Sequence, residues 1–358
     1  MKIEVYSPTI RRKEMDAVLT AMVEEKIGPG DRNRLLIQTA KEQMRFDYAL
    51  ALRSPAVALH LSLKALDVKT GQGVLVSALS PQYYLQVIKD LQLTPVFCDV
   101  TYDFPCINRE TIEKAMAKKP DGLEIGAVVL HHTLGFVPDA LSILELGIPV
   151  IEDISHSYGS WLKPKEESTE KDSSPSQTSA FPVIHGVFCI LGLEEKDMLT
   201  SGGGALLFAM NRRDGSVLRN YSGIADEYCL PDINAALAII QFKEAQRNIE
   251  RRNEIANFYV KASLQTRHKR FISRSEDENN KYSFSLVLET GLKDVIAYAK
   301  KKEILLDNAF EKTIAASLVC ENCPVSSSLV LRTVLFPMYP RLRSQEVERV
   351  SRLIMTLP

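Results

Sequence analysis

The sequence predicts an α/β protein: a mostly parallel sheet covered by helices, followed by a smaller C-terminal α+β domain. Between residues 56 and 153, short β-branched runs alternate with amphipathic segments, which is typical of parallel strands joined by crossover helices. At 358 residues the chain exceeds the usual span of one core. We therefore expect a large domain over 1–240 and a small domain over 241–358.

The first helix is predicted in RRKEMDAVLTAMVEE, whose apolar residues recur at helical spacing. These residues are Met15, Val18, Leu19, Met22 and Val23. The GPG run at 28–30 then ends the helix.

The alternating region that follows predicts four strands and four helices. The strands are VLVS at 74–77, TPVFCDV at 94–100, AVVL at 127–130 and PVIED at 149–153. The helices are VALHLSLKAL, YYLQVIKDL, ETIEKAMAK and DALSILEL. Because amphipathic segments separate them, these strands are expected to lie parallel in one sheet.

Two more strands, GVFCIL and GALLFAM, precede a long helix that begins near Pro231 and Asp232 and runs through KAS. After that helix, YSFSLVLE at 282–289 is strand-like, whereas DVIAYAKKK and SQEVERVSRLIM are helical. The polar stretch 163–179 contains almost no apolar residues, so we expect a flexible surface excursion there.

The composition argues against several classes of function. A net charge of −1 with 25% charged residues gives no electrostatic bias toward nucleic acid or anionic lipid. The opening residues lack the apolar core of a signal peptide, and no segment is long and apolar enough to cross a bilayer. A cytoplasmic protein is expected, with neither nucleic acid nor membrane as a partner.

The six cysteines are spread too widely to predict a disulfide framework. Cys320 and Cys323 form a single CxxC without a second pair of ligands at matching spacing. Two free thiols are therefore favoured over a zinc site, and no metal is expected.

Candidate functional residues follow the strand ends, where loops of an open parallel sheet converge on ligands. Asp153 ends the PVIED strand. A cap or turn role explains Asp153 as well as a functional role does. His132 and His156 also follow strand ends, and a hydrogen-bonded structural imidazole is the favoured interpretation of each.

Lys196 stands in the stretch EEKDMLTSGGG, and three glycines, 202–204, follow it at the start of an apolar strand. The glycines suit either a turn beside a cofactor or a flexible entry into the strand. The stretch matches neither the Walker A pattern nor a dinucleotide-binding GxGxxG.

Segments along most of the chain resemble the DegT/DnrJ/StrS family of pyridoxal-phosphate-dependent nucleotide-sugar aminotransferases. In chain order they are IGPG at 27–30, ALALRSPAVALHLSLKAL at 49–66, TPVFCDV, PVIEDISHSYGS at 149–160, KDMLTSGGGALL, LRN at 218–220, LPDINAALAIIQF at 230–242 and FPMYPRL at 336–342. The ordered set is more specific than any member of it.

The resemblance implies the fold type I architecture of pyridoxal phosphate (PLP) transferases, with active sites at a homodimer interface. It also implies transfer of an amino group from a donor such as glutamate to a keto nucleotide sugar, for surface polysaccharide or modified-sugar synthesis. By the same resemblance, Lys196 is the lysine that forms the imine with PLP and shuttles the proton. Asp153 is then the partner of the pyridine nitrogen, and His156 a contact beside the ring.

The phosphate-binding segment departs from the family pattern. Where the family reads Ser-Gly-Thr-Ala-Ala, this chain reads Ser-Pro-Ala-Val-Ala at 54–58. Ser54 and the main chain of Ala56 remain to bind the phosphate, without one backbone donor and one hydroxyl. The ring-stacking position holds Pro81, so Tyr83 or Tyr84 would have to take its place.

The lysine loop and the partner-facing segment depart as well. Two extra residues separate GVFC from Lys196, and Glu194 and Glu195 replace the usual Pro-Thr. Glu227 and Cys229 stand where the family has Asn and Arg. These changes keep two alternatives open: a cofactor-free relative that binds a nucleotide sugar or a partner protein, and, more weakly, a sugar dehydratase with a histidine base.

Overall fold

A computed structural model describes residues 2–160, 184–221, 223–272 and 281–358. The predicted excursion at 163–179 lies outside these ranges. The helices are α1 (Arg12–Val23), α2 (Asp31–Met44), α3 (Pro55–Ala65), α4 (Tyr83–Asp90), α5 (Arg109–Ala117), α6 (Ala140–Leu144), α7 (Arg212–Arg219), α8 (Asp232–Ser263), α9 (Leu292–Lys301), α10 (Ile314–Ser317), α11 (Pro324–Arg332) and α12 (Ser344–Met355).

Seven strands of the described residues form the large sheet. They are β1 (Tyr48–Leu52), β2 (Gly73–Ser77), β3 (Thr94–Cys98), β4 (Ile125–His131), β5 (Val150–Asp153), β6 (Phe188–Gly192) and β7 (Ala205–Ala209). Their order is β1-β7-β6-β5-β4-β2-β3. The pairs from β3 to β6 are parallel, whereas β7 runs antiparallel to both of its neighbours. The predicted mostly parallel sheet is confirmed.

The sheet is apolar on both faces, as expected of strands covered by helices. Its residues alternate between two cores, so that Val129, Ile151 and Ile190 pack on one face and Cys189, Leu191 and Phe208 on the other. The second core also receives α2 and the first half of α8. The carboxyl ends of β4 and β5 therefore lie between two helical layers.

A smaller antiparallel sheet follows, with strands β8 (Phe284–Val287), β9 (Asp307–Asn308) and β10 (Thr333–Phe336) in the order β8-β10-β9. Together with α9, α12 and the second half of α8 it encloses a separate apolar core. The proposed domain boundary at residue 240 falls inside α8, which contributes buried side chains to both cores. No helix among the described residues is long and apolar enough to span a membrane.

The apolar face predicted for α1 points toward solvent. The helix packs against α8 through Glu14 and Ala21, which are buried. Met15, Leu19 and Met22 on the other face are each more than half exposed. The spacing therefore predicted the helix correctly but did not indicate which side contacts the core.

Candidate functional site

The site is centred on Asp153, the last residue of β5, which is 1% exposed. One carboxylate oxygen accepts hydrogen bonds from the Tyr83 hydroxyl at 3.0 Å and the Tyr84 hydroxyl at 2.6 Å. The other accepts from the amide nitrogen and the hydroxyl of Ser155. Burial alone would raise the pKa of Asp153, but the nearby His131 and the hydrogen bonds from Ser155 and Tyr84 together lower it. The carboxylate is ionised and fully hydrogen-bonded within the protein.

The two tyrosines reach Asp153 from the first turn of α4, which begins just after the strand-end loop of β2. Tyr84 is completely buried, and the two rings lie edge to face with centroids 4.9 Å apart. Burial, and then the charge of Asp153, raise the pKa of both phenols well above their usual value. Both hydroxyls therefore keep their protons and remain donors to the carboxylate.

Two histidines and a third tyrosine complete this cluster. His131 lies beside Asp153 in the register of β4 and β5. Its ring is 4.9 Å from that of His156, which in turn stacks on Tyr282 at 4.1 Å and 13°. Burial lowers the pKa of His131 to about 4 and that of His156 to about 3. Both imidazoles are neutral at pH 7, so the space around Asp153 contains uncharged rings.

The loop after β6 places Asp197 in this region. The Asp197 carboxylate accepts a 2.8 Å hydrogen bond from the amide of Glu194 and lies 3.9 Å from the His156 ring nitrogen. Gly192 makes room for it, because a Cβ there would sit 2.3 Å from an Asp197 oxygen and 2.6 Å from the Ser155 hydroxyl. Burial raises the pKa of Asp197 to about 8, and the charge of Asp153 adds to the effect.

Lys196, the neighbouring residue, turns the opposite way. Its side chain is 54% exposed, and its amine lies 3.6 Å from a carboxylate oxygen of Asp307. Its carbonyl oxygen accepts a hydrogen bond from the Tyr282 hydroxyl at 2.9 Å. Of the two residues, the loop directs Asp197 toward Asp153 and Lys196 toward the surface.

The glycines after this loop have a conformational role. Residues 202–204 all have positive φ, and the turn is held by hydrogen bonds between Leu193 and both Gly203 and Gly204. A Cβ on Gly204 would lie 2.4 Å from the Leu230 side chain. Of the two interpretations of the glycine run, these contacts favour a tight entry into β7.

The segment matched to phosphate binding forms the start of α3. Ser54 caps the helix, and its hydroxyl accepts from the Val57 amide at 3.3 Å. Pro55 occupies the first helical position and offers no N–H. Ala56 is half-buried beside it. An anion at this helix end would need free amide donors. The Val57 amide is used within the helix, and Pro55 has none.

The side chains of the remaining candidates are not part of the cluster around the Asp153 carboxylate. His132 is fully buried, with its ring nitrogens 2.7 Å from the Ser157 hydroxyl and 3.1 Å from a Glu152 oxygen. This is the hydrogen-bonded structural environment expected from the sequence. Glu227 is exposed. The half-buried Cys229 forms an isolated antiparallel β-bridge, through its backbone, with Leu52 at the end of β1.

These residues do not fit PLP as they are arranged. The pyridine nitrogen needs a free carboxylate oxygen, but both Asp153 oxygens accept hydrogen bonds from protein groups. The imine needs an amine in the site, but the amine of Lys196 lies at the surface. Rings of Tyr83, Tyr84 and His156 surround the carboxylate that the cofactor would approach.

Sequence reasoning missed His131, Tyr282 and Asp197 as members of this cluster. Two signals pointed to Asp197: the two residues inserted before Lys196 and the acidic pair that precedes it. His131 and its neighbour His132 both follow AVVL, and their side chains alternate across a strand, so only one of them points toward the site. Nothing local indicated Tyr282, because it comes from a distant part of the chain.

Solved structures of the same fold are similar over almost the whole chain. An aminotransferase, TlmJ, from Streptoalloteichus hindustanus matches with a TM-score of 0.81 and 18% identity, covering 99% of this chain and 98% of that one. A DegT DnrJ EryC1 StrS aminotransferase from Brucella abortus matches at 0.81 and 19%, covering 96% and 94%. An Escherichia coli GDP-4-keto-6-deoxy-D-mannose-3-dehydratase, solved with bound hydrated PLP, matches at 0.79 and 14%, covering 99% of both chains.

These TM-scores establish the fold, which is the PLP-dependent fold type I architecture expected from the sequence. A family model provides the more specific result. The model of the DegT/DnrJ/EryC1/StrS aminotransferase family matches residues 8–174 and 206–355, which is most of the chain. This chain belongs to the DegT/DnrJ/EryC1/StrS aminotransferase family.

Proposed function

We propose that this chain is a cofactor-free member of its family that binds a nucleotide sugar without transaminating it. The proposal rests on one observation: Asp153, which a PLP enzyme of this fold needs at the pyridine nitrogen, is saturated by Tyr83, Tyr84 and Ser155. The outward position of Lys196 supports it independently. Displacing two tyrosine hydroxyls from a buried carboxylate would leave them without partners, at about 1–3 kcal/mol each.

The nucleotide sugar is inferred from the family. A dehydratase of the same fold is named for its action on GDP-4-keto-6-deoxy-D-mannose, a keto nucleotide sugar. Retention of the fold with loss of the cofactor site is consistent with a role in recognising such a ligand or delivering it to another enzyme.

We also propose a homodimer in the cytoplasm. The exposed apolar face of α1, with Met15, Leu19 and Met22, is a surface that a second copy would bury. The six cysteines are free in the described residues, as is usual in a reducing compartment.

A second candidate is a PLP-dependent aminotransferase that uses glutamate as donor and a keto nucleotide sugar as acceptor. Family membership and the ordered motifs favour it. It requires the loop at 193–197 to rearrange so that Lys196 exchanges places with Asp197, and it requires Tyr83 and Tyr84 to leave Asp153.

A titration with PLP distinguishes the two. The protein, its Lys196→Ala variant and the Streptoalloteichus aminotransferase are each mixed with PLP and scanned for the absorbance of a protein imine before and after borohydride. We expect the band only in the aminotransferase. A band in the wild-type protein that Lys196→Ala removes would overturn the proposal and establish the second candidate.

Ligand binding is measured separately by calorimetry with GDP-linked and UDP-linked hexoses. Heat of binding for one of them, in the same protein that shows no imine, is the expected result. If neither nucleotide sugar binds at millimolar concentration, the binding function proposed here is wrong.

A further inference from the structure

The pair Cys320 and Cys323 lies in a tight turn immediately before α11. The amide of Cys323 donates a 2.9 Å hydrogen bond to the carbonyl of Cys320, so the two residues are the first and last of a four-residue turn. Such a turn keeps its end Cα atoms within about 7 Å. A disulfide spans Cα separations of about 4.4–6.8 Å, which overlaps the range of such a turn.

The turn forms one wall of a cavity with a volume of about 640 Å³. That volume is in the range of small-molecule sites, about 300–1,000 Å³. Phe97, Tyr102 and Lys118 line other parts of it. Cys320 is 6% exposed and Cys323 is fully buried, so Cys320 is the more accessible of the two residues.

The two thiols differ in acidity in the way an exchanging pair requires. A hydrogen bond from Cys323 lowers the pKa of Cys320, whereas the same hydrogen bond, followed by burial, raises the pKa of Cys323. Because Cys320 is the more exposed of the two residues as well as the more acidic, it is the nucleophile, and Cys323 holds its proton until later.

A metal site does not explain the pair. The described residues contain no group of three or more His, Cys, Asp or Glu side chains arranged to hold a metal ion. Asp99, the acidic group beside the turn, accepts hydrogen bonds from the Val325 and Ser326 amides and the Ser326 hydroxyl. It anchors the start of α11, and so fixes the position of the turn.

We propose that Cys320 and Cys323 are a redox-active pair that exchanges with a low-molecular-weight disulfide entering this cavity. The Cys320 thiolate attacks one sulfur of the disulfide, and the other sulfur leaves as a thiolate that takes a proton from solvent. Cys323 then loses its proton to solvent and attacks the Cys320 sulfur, which releases the second small thiol. Two protein thiols are oxidised to one disulfide, and one small disulfide is reduced to two thiols.

The test uses the full chain and glutathione disulfide as the probe. After incubation, the protein is denatured and its free thiols are counted, and digestion with mass spectrometry locates any crosslink. Of the six cysteines in the wild-type protein, we expect two to become unreactive, with the crosslink between Cys320 and Cys323. A wild-type protein that keeps all six thiols, or a crosslink mapped elsewhere, would overturn the proposal without recourse to any variant.

Three serine variants assign the roles. Cys323→Ser should stop at a stable glutathione adduct on Cys320, because no second sulfur resolves it. Cys320→Ser should form neither adduct nor crosslink at the pair. Cys229→Ser, which removes a half-buried thiol that does not line the cavity, should behave as the wild type does. An adduct on Cys323 in the Cys320→Ser variant, at the wild-type rate, would contradict the assignment of Cys320 as nucleophile.

Discussion

The Tyr84 hydroxyl donates a 2.6 Å hydrogen bond to Asp153 at the end of β5, and both groups are buried. In a PLP enzyme of this fold that carboxylate would serve the cofactor. Here a tyrosine of the same chain donates to it, and this is the observation behind the proposal of a cofactor-free relative. The bond also makes the pair a measurable contributor to stability.

Replacing Tyr84 by Phe should lower the free energy of unfolding by about 1.5–3 kcal/mol, since it removes a hydrogen bond to a buried charge. Equilibrium denaturation at pH 7 measures the loss. Tyr158→Phe is the matched control, because that hydroxyl donates to the neutral side chain of Gln43, at 3.2 Å. A smaller loss for Tyr84→Phe than for Tyr158→Phe would show that Asp153 does not depend on this donor.

Asp197→Asn should stabilise the protein, and increasingly so as the pH rises. The folded-state pKa of Asp197, about 8, is above its unfolded value. Between about pH 4 and pH 8 the carboxyl is therefore ionised in the unfolded state but protonated in the folded state, and the free energy of unfolding of the wild type falls as the pH rises. The advantage of the variant should grow over that window by up to about 1.4 kcal/mol per pH unit. Denaturation profiles at pH 5 and pH 8 measure the difference.

The control for this titration is Glu195→Gln, which removes an exposed carboxylate from the same loop. Denaturation of this variant at the same two pH values shows what removal of a charge from the loop does by itself. Equal pH dependence of Asp197→Asn and wild type would mean that Asp197 is ionised at neutral pH in the folded protein.

Gly204→Ala should destabilise the protein by about 2–4 kcal/mol, because φ is +128° and the new methyl group would lie 2.4 Å from Leu230. Gly28→Ala provides the comparison, since no atom lies within 4 Å of the added carbon and φ is not positive there. Thermal denaturation of both variants is sufficient. If the Gly204→Ala variant has the same midpoint temperature of denaturation as the wild type, the glycine run is not held in the conformation described.

Leu19→Glu should shift the protein from dimer to monomer, because it places a charge in the apolar face of α1. Sedimentation velocity at micromolar concentration reports the change in mass. Leu331→Glu, a substitution at an apolar residue that is 71% exposed on α11, should leave the mass unchanged. A wild-type protein that sediments as a monomer would refute the proposed dimer.

Much of the fold could be predicted because parallel strands have strong local signals. The strands from β2 to β6, and α8 over 232–263, were predicted to within two residues of where they lie. β1 was not predicted, since YALAL precedes α3 without the alternation that identified the others. The solvent exposure of the apolar face of α1 could not be predicted either, because periodicity identifies an apolar face but not what covers it.

The candidate site was predicted only in part, for a geometric reason. Asp153 and His156 follow one strand and lie in the cluster, as strand-end reasoning expects. Lys196 and Asp197 are adjacent, and of the two only Asp197 turns inward. A shift of one residue in a loop exchanges an amine for a carboxylate, and spacing alone does not reveal the exchange.

The contacts of Tyr282 connect the small sheet to the large one. This residue precedes β8, its ring lies flat on His156, and its carbonyl accepts a 2.7 Å hydrogen bond from the buried Arg252 of α8. A displacement of the small sheet would therefore move this ring off the imidazole. The environment of His156 therefore depends on where the C-terminal strands lie.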